Sequence, residues 1–213
     1  MRRLFSIIVL SVALLPSTTL ARTVADLFAT EPGSIFPLLT RTNRLDMVDY
    51  YLNGQQVPIS NSLAGESRLL EMDSSYLKVQ TSENREVEML MRRVGKDTVI
   101  TVIETVMTPL PDSRLTQWNV HWQRYTSDRL FSMPGIDDFV VTKMPRELRA
   151  DLQDAMVFPL VKLAFTGENH AIIEATHGLS QFLAPNEYKR FASHLRPSIS
   201  YRFDGLKIKP VKK

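Results

Sequence analysis

The 213-residue chain carries 26 Lys+Arg against 23 Asp+Glu, a formal net charge of +3, and is 44% hydrophobic and 23% charged. That balance belongs to a globular protein and excludes a disordered or collagen-like chain. With no cysteine, a disulfide scaffold, a thiolate zinc site, an iron–sulfur cluster and a catalytic thiol are excluded.

The chain opens with an export segment. Arg2 and Arg3 supply a positive start, and Leu4 to Leu15 is apolar apart from Ser6 and Ser11. Such a run is too short to span a bilayer comfortably and matches the apolar stretch of a signal peptide. Pro16 breaks the helix, and Thr19 and Ala21 place small residues before a cut expected ahead of Arg22. Residues 1–21 are therefore expected to be a signal peptide, and 22–213 one α+β domain with weak lobes at 22–130 and 131–213. The protein is expected to be exported, periplasmic or secreted, with no membrane-spanning segment once the signal is removed. No cysteine stands at the cut, which excludes a lipid anchor there. Residues 1–21 hold no acid, so losing Arg2 and Arg3 leaves 24 basic against 23 acidic residues and a net charge of +1. No basic stripe remains to track phosphates, and no nucleic-acid partner is expected.

The first mature segments read as helices. Thr23 caps a short helix through Ala29, with Asp26 in its first turn, and Glu31-Pro32-Gly33 stops it. Thr42 is expected to cap a second helix. Leu45, Val48 and Leu52 give it one apolar face, and Asn53-Gly54 ends it.

The middle reads as strands. Tyr76–Thr81 and Glu86–Arg93 alternate, with Leu77, Val79, Val87, Met89 and Met91 on one side and Lys78, Gln80, Glu86, Glu88 and Arg92 on the other. Pairing Val79 with Val87 requires an odd loop, most simply Ser82-Glu83-Asn84. Thr98–Met107 is apolar on both faces and should be a central strand. A Gly95-Lys96 turn pairs Met91 with Ile100 and Met89 with Val102. The alternative three-residue loop sets Glu88 against Glu104 and is disfavoured by like-charge repulsion. Leu115–Tyr125 follows as another strand.

Pro145 opens a helix carrying Leu148, Leu152 and Met156. Leu160–Thr166 and Ala171–Thr176 flank a Gly167-Glu168-Asn169 turn. Pro185 begins a helix with Tyr188, Phe191 and Leu195, and Asp204-Gly205 joins a last hairpin. Local hairpins flanked by helices predict an α+β fold: antiparallel sheet from consecutive hairpins, with helices packed on one face. A five-residue echo links Ile35–Leu39 and Val157–Val161, too short to establish a repeat.

The signal, Asp26-Leu27-Phe28, Ile35-Phe36-Pro37-Leu38-Leu39 and the segment Asn43 to Tyr51 together resemble an uncharacterised Bacteroidales-type family of exported proteins, a domain of unknown function. The resemblance implies an envelope or secreted location and an α+β domain, and brings no catalytic residues.

Phosphate loops, nucleophile elbows, zincin helices and calcium loops are absent from the sequence. His170, Glu174 and His177 have helical metal spacing, but the segment reads as a strand, where Glu174 and His177 diverge. No metal site, catalytic residue or cofactor is therefore assigned. Asp46 and Asp49, with Arg44 beside them, either bind a ligand or complement the helix dipole locally. Trp118, Val120 and Trp122 are expected in the core, leaving Gln117, Asn119 and His121 on an accessible polar face as ligand-binding candidates. Glu104 is anomalous in an apolar strand and calls for a Thr or Arg partner or an edge position. The function expected is a non-enzymatic binding or assembly component of the envelope, engaging a protein, peptide or glycan. The alternative is a hydrolase-like or metal-assisted enzyme using Glu104, His121 or the His170 set.

Overall fold

The computed structural model describes residues 22–127, 129–141, 143–155 and 160–211. The export segment, Met156 and the start of the second echo lie outside the described residues. Two antiparallel sheets organise the chain. The first is a meander of six strands in sequence order: β1 (Ile59–Ser60), β2 (Glu66–Met72), β3 (Tyr76–Ser82), β4 (Arg85–Val94), β5 (Asp97–Val106) and β6 (Asp112–Asn119). The second runs β10-β9-β8-β7, from β7 (Val161–Thr166), β8 (Ile172–His177), β9 (Ser198–Asp204) and β10 (Lys207–Pro210). Helices α1 (Val24–Thr30) and α2 (Arg41–Leu52) precede the first sheet. Helix α3 (Arg146–Ala155) lies between the sheets in sequence, and α4 (Leu179–Phe182) and α5 (Pro185–Ala192) fall between β8 and β9. This is the expected α+β class, with a second sheet added.

Both faces of the first sheet are covered. Leu77, Val79, Val87, Met89, Ile100 and Val102 pack against Leu27, Phe28, Phe36 and Met47 from the helical segment. On the opposite face Tyr76, Leu90 and Ile103 pack with Leu163, Phe165 and Ile173 of the second sheet, and with Leu152 and Phe191 of α3 and α5. Strand β5 is accordingly buried from both sides, as the apolar residues on both its faces predict.

The Gly95-Lys96 turn and its pairs, Met91↔Ile100 and Met89↔Val102, form as expected. Gly95 takes φ +63°, which the first position of a type II′ turn requires. Val79 pairs with Val87, but Ser82 then pairs with Arg85. A bulge at Thr81 absorbs the odd residue, so the loop is only Glu83-Asn84. In the last hairpin Asp204 pairs with Lys207, which moves the turn to Gly205-Leu206. Gly205, at φ +59°, thereby occupies the turn position that favours glycine.

Three further expectations are corrected. Thr40, not Thr42, caps α2, because Asn43 at the third helical position completes a reciprocal box with it: Asn43 N–H to Thr40 Oγ1 at 3.1 Å and Thr40 N–H to Asn43 Oδ1 at 3.0 Å. The buried face of α2 is Arg44, Met47 and Val48, leaving Leu45 and Leu52 exposed. Strand β6 ends at Asn119 instead of continuing to Tyr125. The chain turns back and pairs with itself through Tyr125 N–H to Gln117 O, 2.9 Å, and Asn119 N–H to Gln123 O, 3.0 Å.

The sheets are joined through the free edge of β7. Its alternate backbone N–H groups are accepted by side chains of the first sheet: Val161 by Asp112 Oδ1 at 3.3 Å, Leu163 by Ser113 Oγ at 2.9 Å and Phe165 by Glu88 Oε2 at 3.1 Å. Ser113 also bonds Thr105 Oγ1 at 2.8 Å, and Glu88 receives the Tyr76 hydroxyl at 3.0 Å. A buried N–H left unpaired costs about 1–3 kcal/mol. Ser113→Ala should therefore lower stability by about that amount, measured by urea unfolding, with the slope unchanged.

Burial pushes the Glu88 carboxyl above the ordinary glutamate value, against the opposing pull of the Phe165 N–H and Lys78. A raised carboxyl pKa contributes stability that is complete below the unfolded value and is lost as pH rises through the folded one. Glu88→Gln keeps an acceptor for Phe165 and removes this titration. The stability of wild type relative to E88Q should fall as pH rises above about 4.5, the ordinary glutamate value. A pH-independent difference between the two would show that Glu88 is not buried as described.

Candidate functional site

The segment that joins α1 to α2 is tied around a buried ion pair. Glu31 leaves α1 and turns its carboxylate back on the following loop. Oε2 accepts from Gly33 N–H at 2.8 Å and Oε1 from Ile35 N–H at 2.9 Å. Arg44, on the inner side of α2, donates to Leu39 O at 2.7 Å and to Glu31 O at 2.5 Å, and its guanidinium lies 3.7 Å from the Glu31 carboxylate. The Arg44 and Glu31 side chains are 4% and 0% exposed. A groove of about 690 Å³ opens over this knot, walled by Pro32, Phe36, Pro37, Leu38 and Thr40. Arg44 is thus held by interior partners and also lines the groove, while Asp46 and Asp49 are exposed on α2. Removing one partner of a buried pair strands the other charge, at about 3–5 kcal/mol. Glu31→Ala should lose about that much stability by denaturant unfolding, and the double change Glu31→Ala with Arg44→Met should recover part of it.

The tryptophan strand behaves differently on its two sides. Trp118 and Trp122 are half-buried and meet edge to face, with centroids 6.2 Å apart, against the cluster that includes Met89 and Val102. Trp122 reaches that side through the turn, at φ +59°, an uncommon conformation for a bulky residue. Trp118 Nε1–H donates to Thr116 Oγ1 at 2.9 Å. Asn119 builds the turn: Oδ1 accepts from the His121 and Gln123 N–H groups at 2.9 and 3.0 Å, and Nδ2 donates to Gln123 Oε1 at 2.8 Å. His121 is exposed at its tip. Gln117 is not on an accessible face. It is 3% exposed, because the second sheet and its flanking segments cover the side of β6 that sequence alternation leaves to solvent.

The residues weighed for acid–base chemistry lie in separate settings. Glu104 is held between Arg85, at 2.5 Å, and Arg114, at 2.6 Å, the arginine pairing its strand position calls for. His170 stacks on Tyr76, with centroids 3.6 Å apart, and its Nε2 lies 3.3 Å from Asp73 Oδ2. Ser75 Oγ also donates to Asp73, at 3.1 Å. The carboxylate therefore sits between serine and histidine, the wrong order for a relay that activates serine. Glu174 lies on β8 opposite Ala164 and Ser200. His177 turns the other way, its ring edge-to-face with Phe139 at 5.0 Å, and burial lowers its pKa. Among the described residues no three His, Asp or Glu side chains gather to hold a metal. Likewise, among the described residues, no helix is long and apolar enough to cross a membrane.

Glu31, Glu88, Asp73 and Ser113 escaped the sequence reading. For Glu88 a signal existed: Leu90 and Ile103 share its side of the meander, too apolar for a solvent face.

A solved domain of an uncharacterized protein from Porphyromonas gingivalis W83 shares this fold. The TM-score is 0.77 at 22% identity, over 88% of this chain and 98% of that one. No curated protein matches the chain. Residues 17–208 match the family described as a protein of unknown function, DUF3256.

Proposed function

The chain belongs to the DUF3256 family, and from that footing we propose that it is an exported, non-enzymatic binding or assembly component of the cell envelope. The observation that carries this reading is the dispersal of its reactive side chains. Glu104 is neutralised by two arginines, Glu88 braces the joint between the sheets, and His170 is stacked on Tyr76. What the surface offers instead is recognition: an open groove beside the α1–α2 knot and a small polar pocket beside β6. The partner would be an envelope protein, peptide or glycan.

Export is supported by the charged start, apolar run and small-residue cut before Arg22. Arg22 itself is docked, donating from Nη1 to Val120 O at 2.9 Å. N-terminal sequencing of protein from native cells should begin at or near Arg22, with the protein in the envelope or medium fraction. A full-length cytoplasmic product would overturn the reading. Protein purified without chelator should hold no stoichiometric transition metal by elemental analysis; about one equivalent of zinc or iron would instead promote the metal-assisted alternative at His170, Glu174 and His177.

A further inference from the structure

The groove over the α1–α2 knot carries charges that do not balance. Its lining, and the segments that join the lining residues, lie wholly within the described stretch 22–127. That lining holds Arg41 and Arg44 against a single acid, Glu31. The Glu31 side chain is 0% exposed, and its carboxylate is already taken up by Gly33 N–H, Ile35 N–H and Arg44. Arg41 is exposed, and among the described residues no carboxylate pairs with it. It also opens α2, where the unpaired N–H groups of a helix start add to its positive charge. Arg44 is 4% exposed on its side chain, and its Nε has no partner. Burial pulls the Arg44 guanidinium below the ordinary arginine value; Glu31 opposes that pull and Arg41 adds to it. An anion seated in the groove would relieve both arginines.

The rest of the wall narrows the choice of anion. At about 690 Å³ the space far exceeds a single ion, since one water occupies about 30 Å³. Exposed Pro32 and Pro37 and half-buried Leu38 offer apolar contact beside the charge. Two hydroxyls share the wall. Thr30 Oγ1 donates to Asp26 O at 2.7 Å and so presents its lone pairs, and Ser62 is exposed. An alkyl chain would take water from these hydroxyls and bond neither, whereas a peptide amide can bond both. A sugar ring would need an open aromatic face, and Phe36, the aromatic residue of the wall, is 0% exposed.

We propose that this groove docks an extended peptide segment of a partner protein, with an acidic side chain at Arg41 and a neighbouring apolar side chain against Pro32, Pro37 and Leu38. The inference deepens the binding role proposed above and rests on it. Its test uses purified protein beginning at Arg22, so a failed titration leaves the export and fractionation results standing.

Titration with the blocked peptide acetyl-Leu-Glu-Leu-amide should move the backbone amide resonances of Gly33, Leu38 and Arg41 saturably in an NMR spectrum. The same peptide with Gln in place of Glu should bind about tenfold more weakly, as the loss of one charge-assisted contact predicts. Arg41→Gln, at an exposed position, should keep a dispersed spectrum and bind the two peptides equally, and Arg41→Lys should restore most of the preference. A readout that needs no variant is salt: binding of the Glu peptide to the unaltered protein should weaken as salt is added, and binding of the Gln peptide should not. The proposal is overturned by no saturable movement with the Glu peptide up to its solubility, by equal affinity for the two peptides, by an undiminished preference in R41Q, or by salt-independent binding of the Glu peptide. Decanoate moving these resonances where the Glu peptide does not would overturn it in favour of a lipid.

Discussion

A strand edge set down on a sheet face holds this molecule together. Strand β7 ends the second sheet, and its outward N–H groups have no neighbouring strand to receive them. They are received by oxygen-bearing side chains at residues 88, 112 and 113. The spacing follows from geometry, since every second residue of a strand points its N–H the same way. The joint therefore fixes the register of β7 on the first sheet as firmly as a ladder would, and a shift of one residue would empty all three bonds at once. Around it the apolar residues Leu90, Ile103, Leu163 and Phe165 exclude water, which makes each bond costly to lose.

The other sheet edges are occupied in part by other means. The segment after β6 doubles back on it, as Tyr125 N–H to Gln117 O shows. On β10, Ile208 N–H goes to Leu130 O, and Pro210 has no N–H to offer. At β2, Gln56 Nε2 donates to Leu70 O at 3.2 Å. Open edges invite strand addition and aggregation, which these contacts oppose.

Much of the fold was legible because its signals are local. The Gly95-Lys96 turn, the pairing of Met89 with Val102, the Pro185 helix start and the hairpin around Gly167 each follow from a few adjacent residues. Errors arose where a distant contact overrode a local pattern. Leu45 and Leu52 trace an apolar stripe, but Arg44 must reach Glu31 and Leu39 O, and that requirement rotates α2. Gln117 alternates like a solvent-facing residue, but the face of β6 that it shares with Leu115 packs against the cluster holding the second sheet. Alternation states which residues share a face; it does not state whether that face is wet. The candidate site was legible only in part for the same reason. Gln117 was singled out by type and position, whereas its burial depends on tertiary packing.

The joint at β7 also bears on how the sequence can drift. A ladder between two backbones places no demand on side-chain identity, so most paired strands can exchange residues of similar shape. Here half of each bond is a side chain. Positions 88, 112 and 113 are therefore limited to residues that carry an oxygen acceptor of matching reach, such as Gln for Glu or Thr for Ser, while the residues of β7 that supply the N–H groups need only be apolar, of fitting size and not proline. The constraint that keeps the two sheets in register is thus written almost wholly in the first of them.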